Sequence, residues 1–499
     1  MRIKRLAMIL LFPLILVLGC VSPPGSPIPP EIPGTDQVLP APVLDQSPVL
    51  PLPPDEAAEL PPPEEEEAGE SIEDILTKIS VLLGEENYDG ALALFEGMAE
   101  GDRETSDMLL LNASILCSTG KLDEAREITG QVRGREPENT QALLVLAALE
   151  GAAGREKEQK AALEGIIKID AGHVPALIGL GNLAIRGEKR SPSAAGAYFD
   201  RALAEEPGNL EAILGRAEAY RFAREPQKAE ELLNGGLKLY PGEALLWAER
   251  ARLYRDAGFL LRALADLDTA RKLDDKSYWI SMDRGMVLVD LNRKQLALEE
   301  FTHAQSLNPE HFLSYAYSAG IKDEAGDYAG AIEDYRALVR LRPDYYFGQE
   351  GLGMLLVRGG QWQEARDAFI QAYNYAPNEW SYALLALMNW RRMEQPGNIR
   401  DFANLALRKL PRDSLEYAMI RLYLDMNGDD GVARRINQEK DLKLKARMLY
   451  YLANYYDIKG NARLAELMLS EIMNLEQRMT IPEWRLVLWA LEDRNLAAY

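Results

Sequence analysis

The side chains that chemistry would have to use are few in this 499-residue chain: His173, His303 and His311, Cys20 and Cys117, and a Gly120-Lys121 pair. A zinc or iron site needs three or four ligands brought together, and histidines this scattered do not suggest one. His303 and His311 are simpler to read as structural or surface histidines. Gly120-Lys121 lacks the upstream glycine of a phosphate-cradling loop, and neither HExxH nor GxSxG occurs. The neighbouring acids Asp323 and Glu324 sit comfortably on a solvated helix end, and Cys117 reads as a small packing residue rather than a nucleophile. The expectation is a protein that is not an enzyme and uses no cofactor, metal or small-molecule substrate.

Charge narrows the partners. With 78 acidic against 56 basic side chains the formal net charge is −22, which repels polyanions, so nucleic acid is not expected as a partner and anionic membrane surfaces are disfavoured. Two cysteines cannot build a disulfide framework.

The first residues follow the pattern of a secretory signal: Arg2, Lys4 and Arg5 precede an apolar run from Leu6 to Leu18, which is too short to span a bilayer. It ends in Val17-Leu18-Gly19-Cys20, which resembles the bacterial lipobox. That resemblance implies a signal peptide over 1–19, lipidation of Cys20, and membrane attachment through acyl chains. Each buried methylene contributes about 0.8 kcal/mol, so two or three chains anchor where one does not. Val21 and Ser22, with no aspartate after the cysteine, imply the outer membrane by the sorting rule of enteric bacteria. Residues 20–70 are rich in Pro and Glu, with Pro23-Pro24, Pro29-Pro30, Pro53-Pro54, Pro61-Pro62-Pro63 and Glu64 to Glu67. They are expected to form a disordered tether, about 150 Å at full polyproline extension.

The elements that position everything else recur on a fixed stride. Pro207, Pro241, Pro309, Pro343, Pro377 and Pro411 are 34 residues or twice 34 apart. Small residues keep the same stride: Ala113, Ala147 and Gly181, then after a two-residue insertion Ala217, Ala251, Gly285, Ala319 and Gly353. A second series runs through Ala91, Ala125, Ala195, Ala229, Ala263, Ala297, Ala331 and Ala365, and later Ala433 and Ala465. Two helices fit each unit, and small side chains at two fixed places are what closely approaching antiparallel helices require. The stride continues where Ala171 and Asp275 replace the proline, so close helix approach, rather than proline, sets the register.

Asp327-Tyr328-Ala329-Gly330-Ala331-Ile332 leading to Tyr335 and Pro343, and Trp247 through Ala251, Tyr254, Gly258, Ala263 and Ala270, resemble tetratricopeptide repeats, here in a bacterial lipoprotein. The resemblance implies an all-α fold, a right-handed superhelix of helical hairpins, with about twelve units over 71–479. Gln159 and Ile399 break the small-residue pattern in the third and tenth units. Residues 480–499 contain an amphipathic helix with Trp484, Leu488, Trp489 and Leu491, expected to cap the open end.

In that family the first helices line a concave groove, which places Trp279, Met282, Met286, Leu313, Phe347 and Met354 on a stripe that could seat an apolar peptide or amphipathic helix. Arg252 and Arg255, with Glu218 and Arg221, would form a charged patch on the same face, and Arg358, Arg391 and Arg392 a second basic cluster. The peptide-carboxylate clamp of the chaperone-binding members is missing, because Ile178 stands where its lysine would precede Asn182. The expected function is a membrane-anchored scaffold of the bacterial cell envelope that binds envelope proteins or peptide segments in this groove. The alternative is a surface-exposed adhesin.

Overall fold

The computed structural model describes residues 71–494 except 86, 188, 394–397 and 477. The expected signal peptide, Cys20 and the tether lie outside the described residues. Every regular element among the described residues is helical, with 26 α-helices and one 3-10 turn at Arg478–Thr480. The chain divides into two compact units, one ending at Leu273 and the other beginning at Asp274.

Within each unit the helices pair as antiparallel hairpins. Thr140–Ala152 with Glu156–Ile169 and Ala244–Asp256 with Leu260–Leu273 are examples from the first unit. In the second, Tyr278–Asp290 pairs with Lys294–Leu307, Phe312–Glu324 with Tyr328–Leu341, and Tyr346–Arg358 with Trp362–Tyr375. Capping side chains start many of the first helices: Asn139 accepts from the Ala142 amide and Asn209 from the Ala212 amide, both at 3.0 Å. A left-handed residue ends them. Gly120, Gly154, Gly258, Gly326 and Gly360 have φ between 69° and 81°, the conformation that lets the chain reverse into the second helix. Arg224 and Asn292 occupy the same turn at φ 61° and 57°, so the turn is imposed even where glycine is missing.

The two small-residue series lie at the helix crossings. Ala91, Ala125, Ala195, Ala229, Ala263, Ala297, Ala331, Ala365 and Ala465 are fully buried, while Ala433 is half-buried. In the first series size is matched across the hairpin. A Cβ on Gly285 would lie 2.5 Å from the Phe301 ring, and one on Gly181 or Gly353 would lie 2.7 Å from Phe199 or Phe369. Where the first helix instead carries Ala147, Ala217 or Ala251, the residue sixteen on, the spacing from Gly285 to Phe301, is a buried Leu163, Leu233 or Leu267. At these six positions glycine goes with phenylalanine and alanine with leucine, which keeps the filled volume nearly constant, while Ala113 and Ala319 have Thr129 and Tyr335 at the same spacing. Gln159, which breaks the pattern, is accommodated the same way: a Cβ on Gly151 would lie 2.6 Å from its amide nitrogen.

The later hairpins are less regular. Ile399–Leu407, Leu415–Asp425 and Asp429–Gln438 have 9, 11 and 10 residues, whereas Leu442–Ile458 extends to 17. The C-terminal helix Trp484–Glu492 lies against Leu442–Ile458 through Glu483, which accepts from Arg447 at 3.0 Å and from the Tyr451 hydroxyl at 2.7 Å. It also reaches back to the hairpins around Asp323 and Arg358, contacts that a cap on the last hairpin alone would not make.

Candidate functional site

All three histidines perform structural roles. His173 caps Val174–Arg186 by accepting from the Ala176 amide at 3.3 Å. His311 caps Phe312–Glu324 through Nδ1, which also lies 2.8 Å from the Tyr278 hydroxyl. His303 Nε2 meets the Asp275 carbonyl at 3.1 Å. Burial lowers the pKa of both capping histidines, with Arg342 adding to the effect at His311. The neutral ring is the form that can accept from an amide. Burial pushes the Cys117 thiol up to about 11, which keeps it protonated and unreactive. Gly120-Lys121 forms the turn between two helices.

The charged patch of the first unit is a buried network. Glu249, 2% exposed, accepts from Arg221 Nε at 3.1 Å and from Arg252 Nη1 at 3.0 Å, and Arg221 also donates to Asp256 at 2.9 Å. Arg252 therefore spends its guanidinium inside the protein rather than offering it to a partner. Arg255 is half-exposed. Arg221 stays above its ordinary value: burial opposes the charge, but Glu249 and Asp256 outweigh it.

In the second unit the stripe separates into two groups. Met282 is fully buried, and Met286 and Met354 are only 4% and 8% exposed, so all three are core residues. Trp279 and Leu313 are half-buried, and Phe347 is 45% exposed. The difference is position along the helix: residues in the first turn project past the neighbouring hairpin, whereas those one and two turns further lie beneath it.

The less buried members lie along a longer aromatic edge. Ring centroids run from Tyr278 to Trp279 at 4.9 Å, Trp279 to His311 at 5.0 Å, His311 to Phe312 at 5.5 Å, Phe312 to Tyr345 at 5.9 Å and Tyr345 to Phe347 at 5.9 Å. The Arg342 guanidinium lies 4.8 Å from the Phe312 centroid and is held by Asp344 at 3.0 Å. Sequence reading missed Tyr278, Phe312, Tyr345 and Tyr346, although an aromatic at 278, 312 and 346 repeats with the 34-residue stride. Such an edge offers partly exposed aromatic faces, suited to an extended or helical protein segment.

The second basic cluster disperses. Arg391 donates to the Tyr423 and Leu424 carbonyls at 2.7 and 2.6 Å, and Arg392 donates to Asn454 at 2.6 Å. Arg358 turns to Glu492.

Glu350, on Tyr346–Arg358, accepts from the Tyr382 hydroxyl at 2.7 Å. Burial raises its pKa, with Glu483 and Glu379 adding to the rise, against the lowering by Tyr382 and Arg447. A carboxyl raised in the folded state contributes stability while protonated and loses it as pH rises through the raised value. Glu350→Gln should therefore melt above wild type at pH 8 and level with it near pH 4, as measured by thermal unfolding followed by circular dichroism.

Four stretches match tetratricopeptide-repeat families. Residues 82–149 and 188–253 match one, and 282–346 and 321–379 another. The fold is accordingly an all-α array of tetratricopeptide-type hairpins, and such repeats support a protein–protein interaction scaffold. Over 109 residues the chain is 33% identical to the Homo sapiens Superkiller complex protein 3, which is 21% of this chain and 7% of that protein's length. The Mus musculus counterpart is 31% identical over the same length. Among solved structures, a tetratricopeptide repeat protein from Parabacteroides merdae ATCC 43184 is 20% identical with a TM-score of 0.41, covering 49% of this chain and 96% of that one. YrrB, described as a tetratricopeptide protein with an unusual peptide-binding site, is 18% identical with a TM-score of 0.32, covering 39% of this chain and 98% of its own.

Proposed function

We propose that this chain is a non-enzymatic scaffold, lipid-anchored at Cys20 in the outer membrane of a bacterial cell envelope, which holds an apolar segment of another envelope protein along the edge marked by Trp279, Leu313 and Phe347. The observation that carries the binding site is apolar surface left partly open at three positions 34 residues apart, Trp279 and Leu313 half-buried and Phe347 45% exposed, joined into one edge by the ring contacts from Tyr278 to Phe347. The anchor rests on the basic, apolar and Gly19-Cys20 sequence at the N-terminus, and the Pro-rich tether would give the array reach beyond the membrane surface.

In-cell crosslinking tests both halves of the proposal. Full chains carrying Leu313→Asp and Phe347→Asp should lose at least about 90% of crosslinked envelope partners with unchanged helical content, because a charge buried at an aromatic contact costs several kcal/mol. Cys20→Ser should move the protein from the membrane to the soluble fraction while partner capture by the released protein persists. Undiminished capture by the double variant would show that the edge is not the site.

A further inference from the structure

The helix Trp484–Glu492 is seated as a ligand would be. Its nine residues are too few to hold a helix in water without outside contacts. Leu486, Val487, Trp489 and Leu491 are buried. The polar anchors are remote in sequence. Arg485 grips both carboxylate oxygens of Asp323, at the end of Phe312–Glu324, from 162 residues away. Arg358, at the end of Tyr346–Arg358, donates to Glu492 at 3.3 Å. The Trp489 ring meets Tyr328 edge-on at 5.9 Å, and the guanidinium groups of Arg358 and Arg485 lie 4.9 and 4.4 Å from its centroid.

The receiving side comes from the repeats and the inserted side from one short segment. Asp323 is 7% exposed, and a carboxylate this enclosed requires a cationic counterpart, which the arriving helix supplies. Tyr328 and Arg358 offer a ring edge-on and a cation over the face, contacts that favour an aromatic such as Trp489. The cleft therefore selects an arginine followed four residues later by a tryptophan, so that both fall on one helical face. The contacts holding the segment differ in exposure: the Arg358 and Glu492 side chains are 30% and 52% exposed, so that pair is worth little, whereas Arg485, 35% exposed, closes on the buried Asp323, and Arg447, 12% exposed, on the buried Glu483.

We infer that the cleft formed by Phe312–Glu324, Tyr346–Arg358 and Leu442–Ile458 is a binding site for a short amphipathic helix carrying arginine and tryptophan four residues apart, that residues 483–494 fill it in cis, and that a partner helix of the same pattern exchanges with them. This site lies at the opposite ends of the first helices from Leu313 and Phe347, so it stands whether or not the aromatic edge binds anything.

The probe is a fluorescent peptide copying residues 481–494, titrated by anisotropy into the full chain. A tethered occupant competes at an effective concentration near the millimolar range, so Arg485→Ala with Trp489→Ala in the chain should tighten peptide binding at least about tenfold. Adding Asp323→Lys to that chain should abolish binding, and a peptide with Arg485→Glu should restore it. No binding by a folded Arg485→Ala/Trp489→Ala chain overturns the inference. Should that variant not fold, hydrogen exchange on wild type decides: amides of 484–492 exchanging well before those of 442–458 support exchangeability, and simultaneous exchange overturns it. A wild-type dimer dissociated by the double substitution would place the helix of a second copy in the cleft and overturn occupancy in cis.

Discussion

Phe301→Ala is expected to destabilise the second unit by about 3–5 kcal/mol, the range for emptying a fully buried aromatic site. Phe301 is fully buried, and its ring fills the hollow left by Gly285 across the hairpin. The converse change, Gly285→Ala, places a methyl 2.5 Å from the ring and should cost about 1–3 kcal/mol by overpacking. The informative measurement is the pair. Gly285→Ala with Phe301→Leu recreates the alanine–leucine match found at Ala217 and Leu233, and at Ala251 and Leu267. It should be more stable than the sum of Gly285→Ala and Phe301→Leu by about 1–2 kcal/mol, a coupling typical of residues in contact. Additive losses would mean that the size match is incidental. Repeat arrays unfold by parts, so hydrogen exchange over residues 278–307 is a better readout than one global midpoint.

Much of this fold was legible because its determinants are local and repeated. The small residues mark crossings, and the left-handed turn at Gly120, Gly154, Gly258, Gly326 and Gly360 recurs with them. Size compensation between Gly285 and Phe301 was also present in the sequence, but it appears only when two strides are compared rather than one. The histidines were legible too: His173 and His311 stand where Asn139, Asn209 and Ser277 cap other first helices.

The site was less legible, for physical reasons. Trp279 and Met282 share a helix face in any periodic reading, yet one is half-buried and the other fully buried, because depth along the helix decides what the neighbouring hairpin covers. Arg252 reads as an available cation until its partner Glu249 is placed beside it from the preceding turn. The seat of the C-terminal helix could not be read at all. A contact between Asp323 and Arg485 across 162 residues leaves no periodic trace, nor do those of Arg358 with Glu492 and of Arg447 with Glu483.

Glu249→Ala is expected to cost the first unit about 3–5 kcal/mol, although it removes only one surface-like residue type, because it strips a partner from buried cations. The Arg221 and Arg252 side chains are 9% and 10% exposed, so water cannot replace the carboxylate. Arg221 keeps Asp256 at 2.9 Å, and both guanidinium groups lose a bond to Glu249, at 3.1 Å for Arg221 and 3.0 Å for Arg252. An exposed pair provides the contrast: Lys294 and Glu324, with side chains 48% and 63% exposed, should yield no more than about 1 kcal/mol when the lysine becomes alanine. Urea unfolding combined with hydrogen exchange over 244–256 measures the first, and over 294–324 the second. Replacing Glu249 and Arg252 together by leucine and methionine should recover most of the loss, since apolar residues of similar volume often equal a buried ion pair in stability. A Glu249→Ala loss below about 1 kcal/mol would mean that these arginines swing out to solvent. In that case the first unit would present a cationic surface to partners.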